Sequence, residues 1–420
     1  MSNRLATALA VLLVVAVVAY ILACSQATWS PDGRSIAFVS RVGGEPPAFR
    51  LYVAEASGAA EPRLLWESPS FLSAPGWSAD SRTLAVVNIA PLSEAEQKDA
   101  KEADFAKVKD GKDPLADRLY LVSVADGKRR LLAEQKFLGE GKMATEETAY
   151  IEPWPQYASG GKLIIWSLQP LEEVRLVDVE SGKVTKRLEN AAAPIMAPSG
   201  KAIAFLEKGE GDFASLALFD LQKEERRAVV KSPAADRQFA LGAVSSWSPD
   251  SSKLAVVGHW MVKKTKPAEE GQTAQQEWTE EGKVTPWIIA LSDGSPQPLV
   301  KDLKDEVLWV AWSPKGDLLA FPAEIKGGKL GIWTVKPDGS DLKRIAGGAD
   351  KGTLYHPTFS PDGSKLSYRL VGDNEKMVYT VVHDLKTGAE TVLPKPPPPP
   401  TDEKPAEKQA EKPVEGAPQK

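Results

Sequence analysis

Cysteine and histidine are scarce in this chain of 420 residues, which contains one cysteine, Cys24, and three histidines. A single cysteine excludes an intramolecular disulfide bond and a metal site built from several thiolates. The histidines His259, His356 and His383 are too few for a histidine-rich metal site. We therefore expect neither a disulfide-stapled fold nor a zinc centre of the cysteine or histidine type.

The sequence also lacks the short motifs that accompany common enzyme chemistries. It contains no Walker-type phosphate-binding loop, no His-Glu-x-x-His helix and no twelve-residue calcium loop. The Gly-x-Ser-x-Gly nucleophile elbow of serine hydrolases is absent as well. His383-Asp384 resembles a catalytic dyad but falls at a strand end occupied by other residue pairs elsewhere, so we interpret it as structural. The sequence predicts no catalytic residue, no cofactor and no metal ion.

Neither sign of charge dominates, since 52 Lys and Arg residues face 57 Asp and Glu residues and the formal net charge is −5. Nucleic-acid-binding domains are usually strongly basic, so the composition gives no indication of a nucleic-acid partner. Tryptophan, in contrast, is abundant, with 12 residues in the chain. Many of them recur at equivalent positions, which directs attention to internal repeats.

One long hydrophobic run is present, from Leu5 to Ala23, and it contains no charged residue. As a helix this run would span about 28 Å, which matches the hydrocarbon core of a membrane. Arg4 is the only charged residue before it, which predicts that the short N-terminus stays in the cytoplasm. The remainder of the chain would then lie on the other side of the membrane.

Three fates of residues 1–24 remain open. Ile21-Leu22-Ala23-Cys24 resembles a bacterial lipobox, which makes Cys24 a candidate for lipidation. The run could instead stay as an uncleaved transmembrane anchor. Cleavage after Ala27 would release the protein, because small residues occupy the two positions that a signal peptidase reads. All three alternatives predict an extracytoplasmic location for the globular part.

A turn motif recurs seven times along the rest of the chain, and its clearest copy is Trp29-Ser30-Pro31-Asp32-Gly33 followed by the apolar run Ile36-Ala37-Phe38. Proline pre-sets the backbone of a type I turn, and the Ser and Asp side chains bond nearby amides. Other copies begin at Trp77, Tyr157, Met196, Trp247, Trp312 and Phe359. The residues expected to build these turns and their packing are Trp29, Asp32, Gly33, Trp77, Trp247, Asp250, Trp312, Gly316, Phe359, Asp362 and Gly363.

The large residue that opens each motif has two interpretations. It could pack between neighbouring units as part of the core, or it could form a platform on which carbohydrate stacks. Recurrence at one structural position favours packing.

Each unit carries a second turn, which in six of the seven units contains glycine, as at Gly58 and Gly127. Short apolar runs flank both turns, so each unit is interpreted as four antiparallel strands. Seven such units predict an all-β, seven-bladed propeller over residues 25–393. Only Ser25 to Thr28 precede Trp29, which predicts either a very short first strand or another way of closing the ring.

Two units are longer than the others, with insertions of about 20 residues near residues 93–113 and 261–282. The first begins with Ser93-x-x-Glu96, a capping-box pattern that predicts a short solvent-facing helix. The second is polar and less regular. Both fall between the second and third strands of their units, so we expect them on one face, where loops commonly carry recognition.

Residues 394–420 are rich in Pro, Lys and Glu and have almost no large apolar side chains. Such a composition predicts a disordered tail with polyproline II structure around Pro396 to Pro400. A linker, an envelope spacer, a ligand for a partner and a plain solubilising tail are all compatible with it.

The Trp-Ser-Pro-Asp-Gly-x-x-Ile-Ala-Phe signature resembles the repeats of TolB-type propellers, from Trp29 to about Leu393. The resemblance implies a propeller of WD40-like repeats, while the separate N-terminal domain of TolB has no counterpart here. The repeats are also similar to the propeller of prolyl oligopeptidase-type peptidases. Lys109-Asp110-Gly111 and Asp117-Arg118-Leu119-Tyr120-Leu121 add to that likeness, but without a nucleophile elbow in the sequence we do not expect peptidase activity.

The leading functional hypothesis is a membrane-tethered, extracytoplasmic, non-enzymatic scaffold that binds an envelope protein through one propeller face. The alternative is an enzyme, such as a lactonase, glycosidase or lyase, with its site at the central channel. Carboxylates or histidines converging from several blades would favour the enzyme.

Overall fold

Every structural statement below concerns the residues that the computed structural model describes. They are residues 27–42, 48–107, 111–140, 155–158, 161–168, 171–208, 214–230, 236–266, 275–301, 303, 306–307, 309–324, 330–347, 353–371 and 378–393.

The described chain forms seven sheets, and each sheet takes its strands from one continuous stretch of sequence. Blade 1 contains β1 (Thr28–Trp29), β2 (Ser35–Val42), β3 (Ala48–Glu55) and β4 (Arg63–Ser68). Blade 2 contains β5 (Phe71–Leu72), β6 (Gly76–Trp77), β7 (Thr83–Pro91), β8 (Phe105–Lys107), β9 (Asp113–Ser123) and β10 (Arg129–Gly139). Blade 3 contains β11 (Gln156–Tyr157), β12 (Leu163–Leu168), β13 (Glu173–Asp178) and β14 (Val184–Glu189).

The remaining blades follow the same plan. Blade 4 contains β15 (Ala191–Met196), β16 (Ala202–Lys208), β17 (Ala214–Asp220) and β18 (Glu225–Ala228). Blade 5 contains β19 (Arg237–Trp247), β20 (Lys253–Lys266), β21 (Gln275–Ala290) and β22 (Pro296–Pro298). Blade 6 contains β23 (Ala311–Trp312), β24 (Leu319–Ala323), β25 (Gly331–Val335) and β26 (Lys343–Ala346). Blade 7 contains β27 (Thr353–Phe359), β28 (Lys365–Val371), β29 (Val378–Asp384) and β30 (Glu390–Leu393).

These sheets confirm the predicted seven-bladed propeller. Six blades have four antiparallel strands, while blade 2 has its first strand divided into β5 and β6 and adds the parallel strand β8 at its edge. The first strands of neighbouring blades contact one another, as β15 contacts β19 and β23 contacts β27. The first strands therefore surround the axis and the fourth strands lie at the periphery, as in other propellers.

The recurring motif forms one hydrogen-bonded turn between the first and second strands of a blade. In blade 1 the Ser30 hydroxyl donates to Asp32 Oδ1 at 2.6 Å, and the amide of Ser35 donates to Ser30 Oγ at 2.9 Å. Gly33 adopts φ +70°, which glycine takes without strain. The hydroxyl of Ser30 and the amide of Arg34 hold the pKa of Asp32 below its usual value. In other blades the equivalent donors, Ser248 with Ser252 and Ser360 with Ser364, lower the pKa of Asp250 and of Asp362 to about 2.

The tryptophan that opens a motif lies between two blades. Trp29 Nε1 donates to Ser367 Oγ of blade 7 at 2.8 Å, and Trp77 Nε1 donates to the Thr28 carbonyl of blade 1 at 3.0 Å. Trp247 Nε1 reaches the Ile195 carbonyl of blade 4 at 3.2 Å. Because these rings are buried and their only polar atom bonds to the preceding blade, the structure places them in the packing rather than on a ligand platform.

Blades 1 and 7 meet without exchanging a strand within the described residues. β1 has only two residues, so the first strand is very short, as one of the two sequence alternatives predicts. Side chains close the ring instead, since Val382 and Leu393 of blade 7 share one apolar cluster with Trp29 and Tyr52 of blade 1.

The two insertions differ from each other. The first contains helix α1 (Glu94–Asp99) with the predicted capping box at Ser93, followed by one 3₁₀ turn (Glu102–Asp104). The second insertion, whose sequence is polar and less regular, extends blade 5, because β20 and β21 pair from Lys253–Ala290 out to Lys266–Gln275. A strand is recognised in a sequence by its alternating apolar residues. An exposed ribbon pairs polar side chains across its strands and has no such alternation, so the sequence does not predict these strands.

Both terminal segments lie outside the described residues, including Cys24 and residues 394–420. Among the residues that are described, no helix has the length and apolarity needed to span a bilayer. The sequence-based statements about both segments therefore stay predictions.

Candidate binding face and blade 2–3 cleft

The propeller has one plain face and one elaborated face. The motif turns join first to second strands, and antiparallel strands reverse direction, so connections between second and third strands lie at the opposite end. We call the two ends the turn face and the insertion face. The insertion face carries both long connections, α1 with β8 on blade 2 and the β20–β21 hairpin on blade 5.

Helix α1 is fastened to blade 2 through Arg118 of β9. Arg118 Nη2 lies 2.7 Å from Glu96 Oε1, and Arg118 Nε lies 2.6 Å from Glu134 Oε2 on β10. Glu96 also caps the helix, because its Oε2 accepts the Ser93 amide at 2.7 Å. One glutamate thus fixes both the start of the helix and its position on the blade.

After α1 the chain adds β8 to the outer edge of blade 2, parallel to β10. A cleft of about 470 Å³ separates this added strand from blade 3. We call it the blade 2–3 cleft. Its lining includes Asp104, Phe105, Gln135, Glu173, Arg187 and Asn190.

Arg175 forms the floor of the blade 2–3 cleft and is almost fully buried. Its Nε and Nη2 contact the two carboxylate oxygens of Glu173 at 2.6 and 3.2 Å, and Nη2 also reaches Gln135 Oε1 at 2.8 Å. The guanidinium lies over the Trp166 ring, 5.7 Å from its centroid. These contacts hold a fixed array of opposite charges at the base of the cleft.

Asp117 lies beneath Arg175 and is 1% exposed. Its Oδ1 accepts the Trp166 indole N–H at 3.0 Å, while Oδ2 has no hydrogen-bond partner among the described residues. Burial raises the pKa of Asp117 to about 7, against the lowering effect of Trp166 and of the Arg175 charge. Within the described part of blade 2, Asp117 is the buried side chain that the fold leaves with one oxygen unpartnered.

The blade 5 hairpin is the second feature of the insertion face. At its base Phe239, Trp260 and Trp287 form edge-to-face pairs, with ring centroids 5.1 to 6.4 Å apart. Arg237 lies 4.4 Å above the Trp260 ring, and Lys263 lies 4.9 Å above the Trp278 ring farther out. Aromatic and cationic groups thus stiffen a ribbon that projects beyond the propeller.

The residues singled out from the sequence lie elsewhere. Asp32, Gly33, Asp250, Gly316, Asp362 and Gly363 belong to the turn face, and Trp29, Trp77, Trp247, Trp312 and Phe359 pack behind those turns. His383 does not pair with Asp384, whose carboxylate accepts the Lys386 and Thr387 amides; His383 Nδ1 lies 3.5 Å from Glu390 Oε1. In the described part of the chain no three His, Cys, Asp or Glu side chains are arranged to hold a metal ion.

Sequence reasoning did not find the Asp117, Trp166 and Arg175 network, because its members come from two blades. The sequence contains one signal, the adjacent charged residues Asp117 and Arg118 in the middle of a mostly apolar strand. Charged residues are rarely buried unless they are paired, so their presence there indicates a specific contact. The likeness to prolyl oligopeptidase-type propellers includes this pair but assigns it no role in a site.

No family model and no curated protein matches the sequence. Among solved structures, the β-propeller domain of the Trilobed protease from Pyrococcus furiosus superposes with a TM-score of 0.56 at 10% identity, covering 90% of this chain and 97% of that chain. Oligogalacturonate lyase from Vibrio parahaemolyticus gives 0.50 at 12% identity, covering 87% and 90%.

TolB from Acinetobacter baumannii also matches, with a TM-score of 0.45 at 14% identity. The alignment covers 86% of this chain but 63% of that one, so the chain spans less than two thirds of the length of this TolB. Identities this low show likeness of fold alone. The propeller predicted from the TolB-type turn motif is confirmed by the seven sheets, and TolB structures are among those that match.

Proposed function

We propose that this protein is a non-enzymatic, extracytoplasmic binding module that engages an envelope protein through its insertion face. The observation that carries the proposal is that both insertions lie at the same end of the propeller, and one of them builds the blade 2–3 cleft. Rigid scaffolds commonly present recognition on such connections. In the described residues the opposite end carries tight turns and a smaller cleft of about 360 Å³ between blades 4 and 5, without an inserted element.

The blade 2–3 cleft suits a charged segment of a protein partner. Arg187 is half-exposed and lies 3.1 Å from Glu173, so it offers its remaining donors to the cleft. Glu189 and Asp104 lie on the same walls. Alternating charges recognise a complementary pattern of side chains and set orientation more than affinity.

A photo-crosslinking amino acid at Ala103, which lines the cleft, tests this function in intact cells. We expect a specific crosslinked adduct from Ala103 and none from Ser199 on the turn face. Arg187→Glu should reduce the adduct at least about tenfold, because it places a carboxylate against Glu173. Arg34→Glu on the turn face is the matched control and should leave the yield unchanged. Equal yields from both faces would contradict the proposal.

The proposed tether has its own test, because it rests on the sequence alone. If residues 21–24 are a lipobox, cells fed a labelled fatty acid should incorporate the label into the protein, and Cys24→Ala should abolish it. A labelled protein in which Cys24→Ala changes nothing would contradict lipidation at this residue. An unlabelled protein that stays in the membrane fraction would instead indicate an uncleaved anchor of residues 5–23.

A further inference from the structure

Arg369 is a fully enclosed guanidinium at the junction of blades 7 and 1. It lies on β28 and is 2% exposed. Its Nη1 donates to the Thr380 hydroxyl, and its guanidinium carbon lies 5.4 Å from the centroid of the Phe38 ring of blade 1. Ser367, which shares this face of β28 because side chains alternate along a strand, accepts the Trp29 indole of blade 1.

No carboxylate balances this charge within the described residues. Arg369 forms none of the ion pairs found there, and its Nε is buried without a hydrogen-bond partner. Burial lowers the pKa of Arg369 to about 9, so the group still carries a positive charge at neutral pH. An uncompensated buried charge is strongly destabilising, and buried charges in proteins are normally paired.

The neighbouring strand β27 contributes two further buried polar atoms that have no hydrogen-bond partner among the described residues. A bulge interrupts the β27–β28 pairing between Tyr355 and Thr358, and His356 adopts φ +47° there. His356 Nδ1 and Thr358 Oγ1 are both buried without a partner among the described residues. Burial and the Arg369 charge together lower the pKa of His356 to about 4, so its imidazole is neutral. Strained backbone beside unsatisfied polar groups is typical of ligand sites.

We propose that Arg369, with His356 and Thr358, binds the carboxylate group of a small molecule that enters from the central channel. The free Nε–Nη2 edge of Arg369 matches a planar carboxylate in side-on, bidentate geometry, since Thr380 occupies only Nη1. The Thr358 hydroxyl and the His356 imidazole supply further hydrogen bonds.

The charge of the site selects a carboxylate over a phosphate. Because His356 is neutral, Arg369 contributes the single positive charge of the site. One carboxylate neutralises this charge, whereas a phosphate dianion would leave a buried negative charge. Arg369 lies on the second strand of blade 7, next to the axial strand β27. The Phe38 ring provides a flat apolar surface beside the guanidinium.

Isothermal titration calorimetry and thermal unfolding of the full chain test the site, with acetate and benzoate as probes at constant ionic strength. We expect saturable binding and a rise in Tm with at least one carboxylate, and neither effect with acetamide, benzamide or sulfate. Arg369→Lys should weaken binding at least about tenfold, because it keeps the charge but loses the bidentate edge. Arg369→Met should abolish binding.

Arg344→Met, at an exposed arginine of blade 6, is the matched control and should bind as the wild type does. Arg369→Met removes an uncompensated buried charge, so in carboxylate-free buffer its Tm should equal or exceed that of the wild type. The proposal is overturned if neither carboxylate binds saturably, if sulfate or the amides act equally well, or if Arg369→Met retains binding. Should Arg369→Met fail to fold, the affinity of Arg369→Lys decides.

Discussion

Asparagine in place of Asp117 is expected to stabilise the protein at pH 8 by about 2 to 4 kcal/mol. The folded protein raises the pKa of this carboxyl from 3.8 to about 7, and each pKa unit corresponds to about 1.4 kcal/mol. Asparagine carries no charge to desolvate, and its carbonyl oxygen still accepts the Trp166 indole N–H that Asp117 Oδ1 accepts. The neutral side chain therefore keeps this contact and removes the desolvation cost of the charge. Its amide NH2 group takes the unpartnered place of Oδ2, and the attraction to Arg175 is lost, so the expected gain is smaller than the full equivalent of the pKa shift.

The stabilisation should depend on pH in a defined direction. Below pH 4 the carboxyl is protonated in both folded and unfolded chains, so Asp117→Asn should differ little from the wild type. Between pH 4 and about 7 the unfolded chain loses its proton while the folded chain keeps it, so the free energy of unfolding of the wild type falls relative to the variant. Above pH 7 both states are ionised and the difference stays constant.

Urea unfolding of both proteins at pH 4, 5, 6, 7 and 8 measures this difference. The comparison with Asp117→Asn isolates the carboxyl, because His356 and other groups titrate in both proteins. Asp113→Asn, at the exposed start of the same strand, serves as the control and should show no comparable trend. If the free energies of unfolding of the wild type and of Asp117→Asn differ by the same amount at every pH in this range, the assignment of the raised pKa to Asp117 is contradicted.

Trp29→Ala is expected to lower the free energy of unfolding by about 3 to 5 kcal/mol, as truncation of a buried tryptophan generally does. Trp29 is 8% exposed and lies in the apolar cluster that joins blades 1 and 7. No strand crosses that junction in the described residues, so the loss falls on the contacts that close the ring.

Two further variants separate packing from hydrogen bonding at this junction. Ser367→Ala removes the acceptor of the Trp29 N–H and the longer bond, 3.3 Å, that the Ser367 hydroxyl donates to the Thr358 carbonyl, and it should cost about 1 to 2 kcal/mol. Trp278→Ala changes a half-exposed tryptophan of the hairpin and should have little effect on global unfolding. Limited proteolysis should cleave Trp29→Ala faster than the wild type. Equal stability losses for Trp29→Ala and Trp278→Ala would contradict a special role of the junction.

The architecture was predictable because its determinants are local. The Ser30, Asp32 and Gly33 turn is bonded within five residues, so each copy marks a blade wherever it occurs. Helix α1 was predictable for the same reason, since Ser93 and Glu96 are one helical turn apart.

The candidate sites depend on contacts between distant positions. The Trp166 and Asp117 side chains are 49 residues apart in sequence, and those of Arg175 and Gln135 are 40 apart. Phe38 of the first blade meets Arg369 of the last. A single sequence contains no period or spacing that brings such pairs together, so blade assignment alone leaves them unconnected.

Each described sheet is built from consecutive strands, so the backbone hydrogen bonds of one blade can form without strands from the other end of the polypeptide. As the chain emerges during synthesis, each blade can acquire its sheet in turn and add its apolar face to the one before it. Ring closure is the last event and the one that depends on side chains. The junction of blades 1 and 7 is therefore where the finished molecule is expected to open first under mechanical or thermal stress.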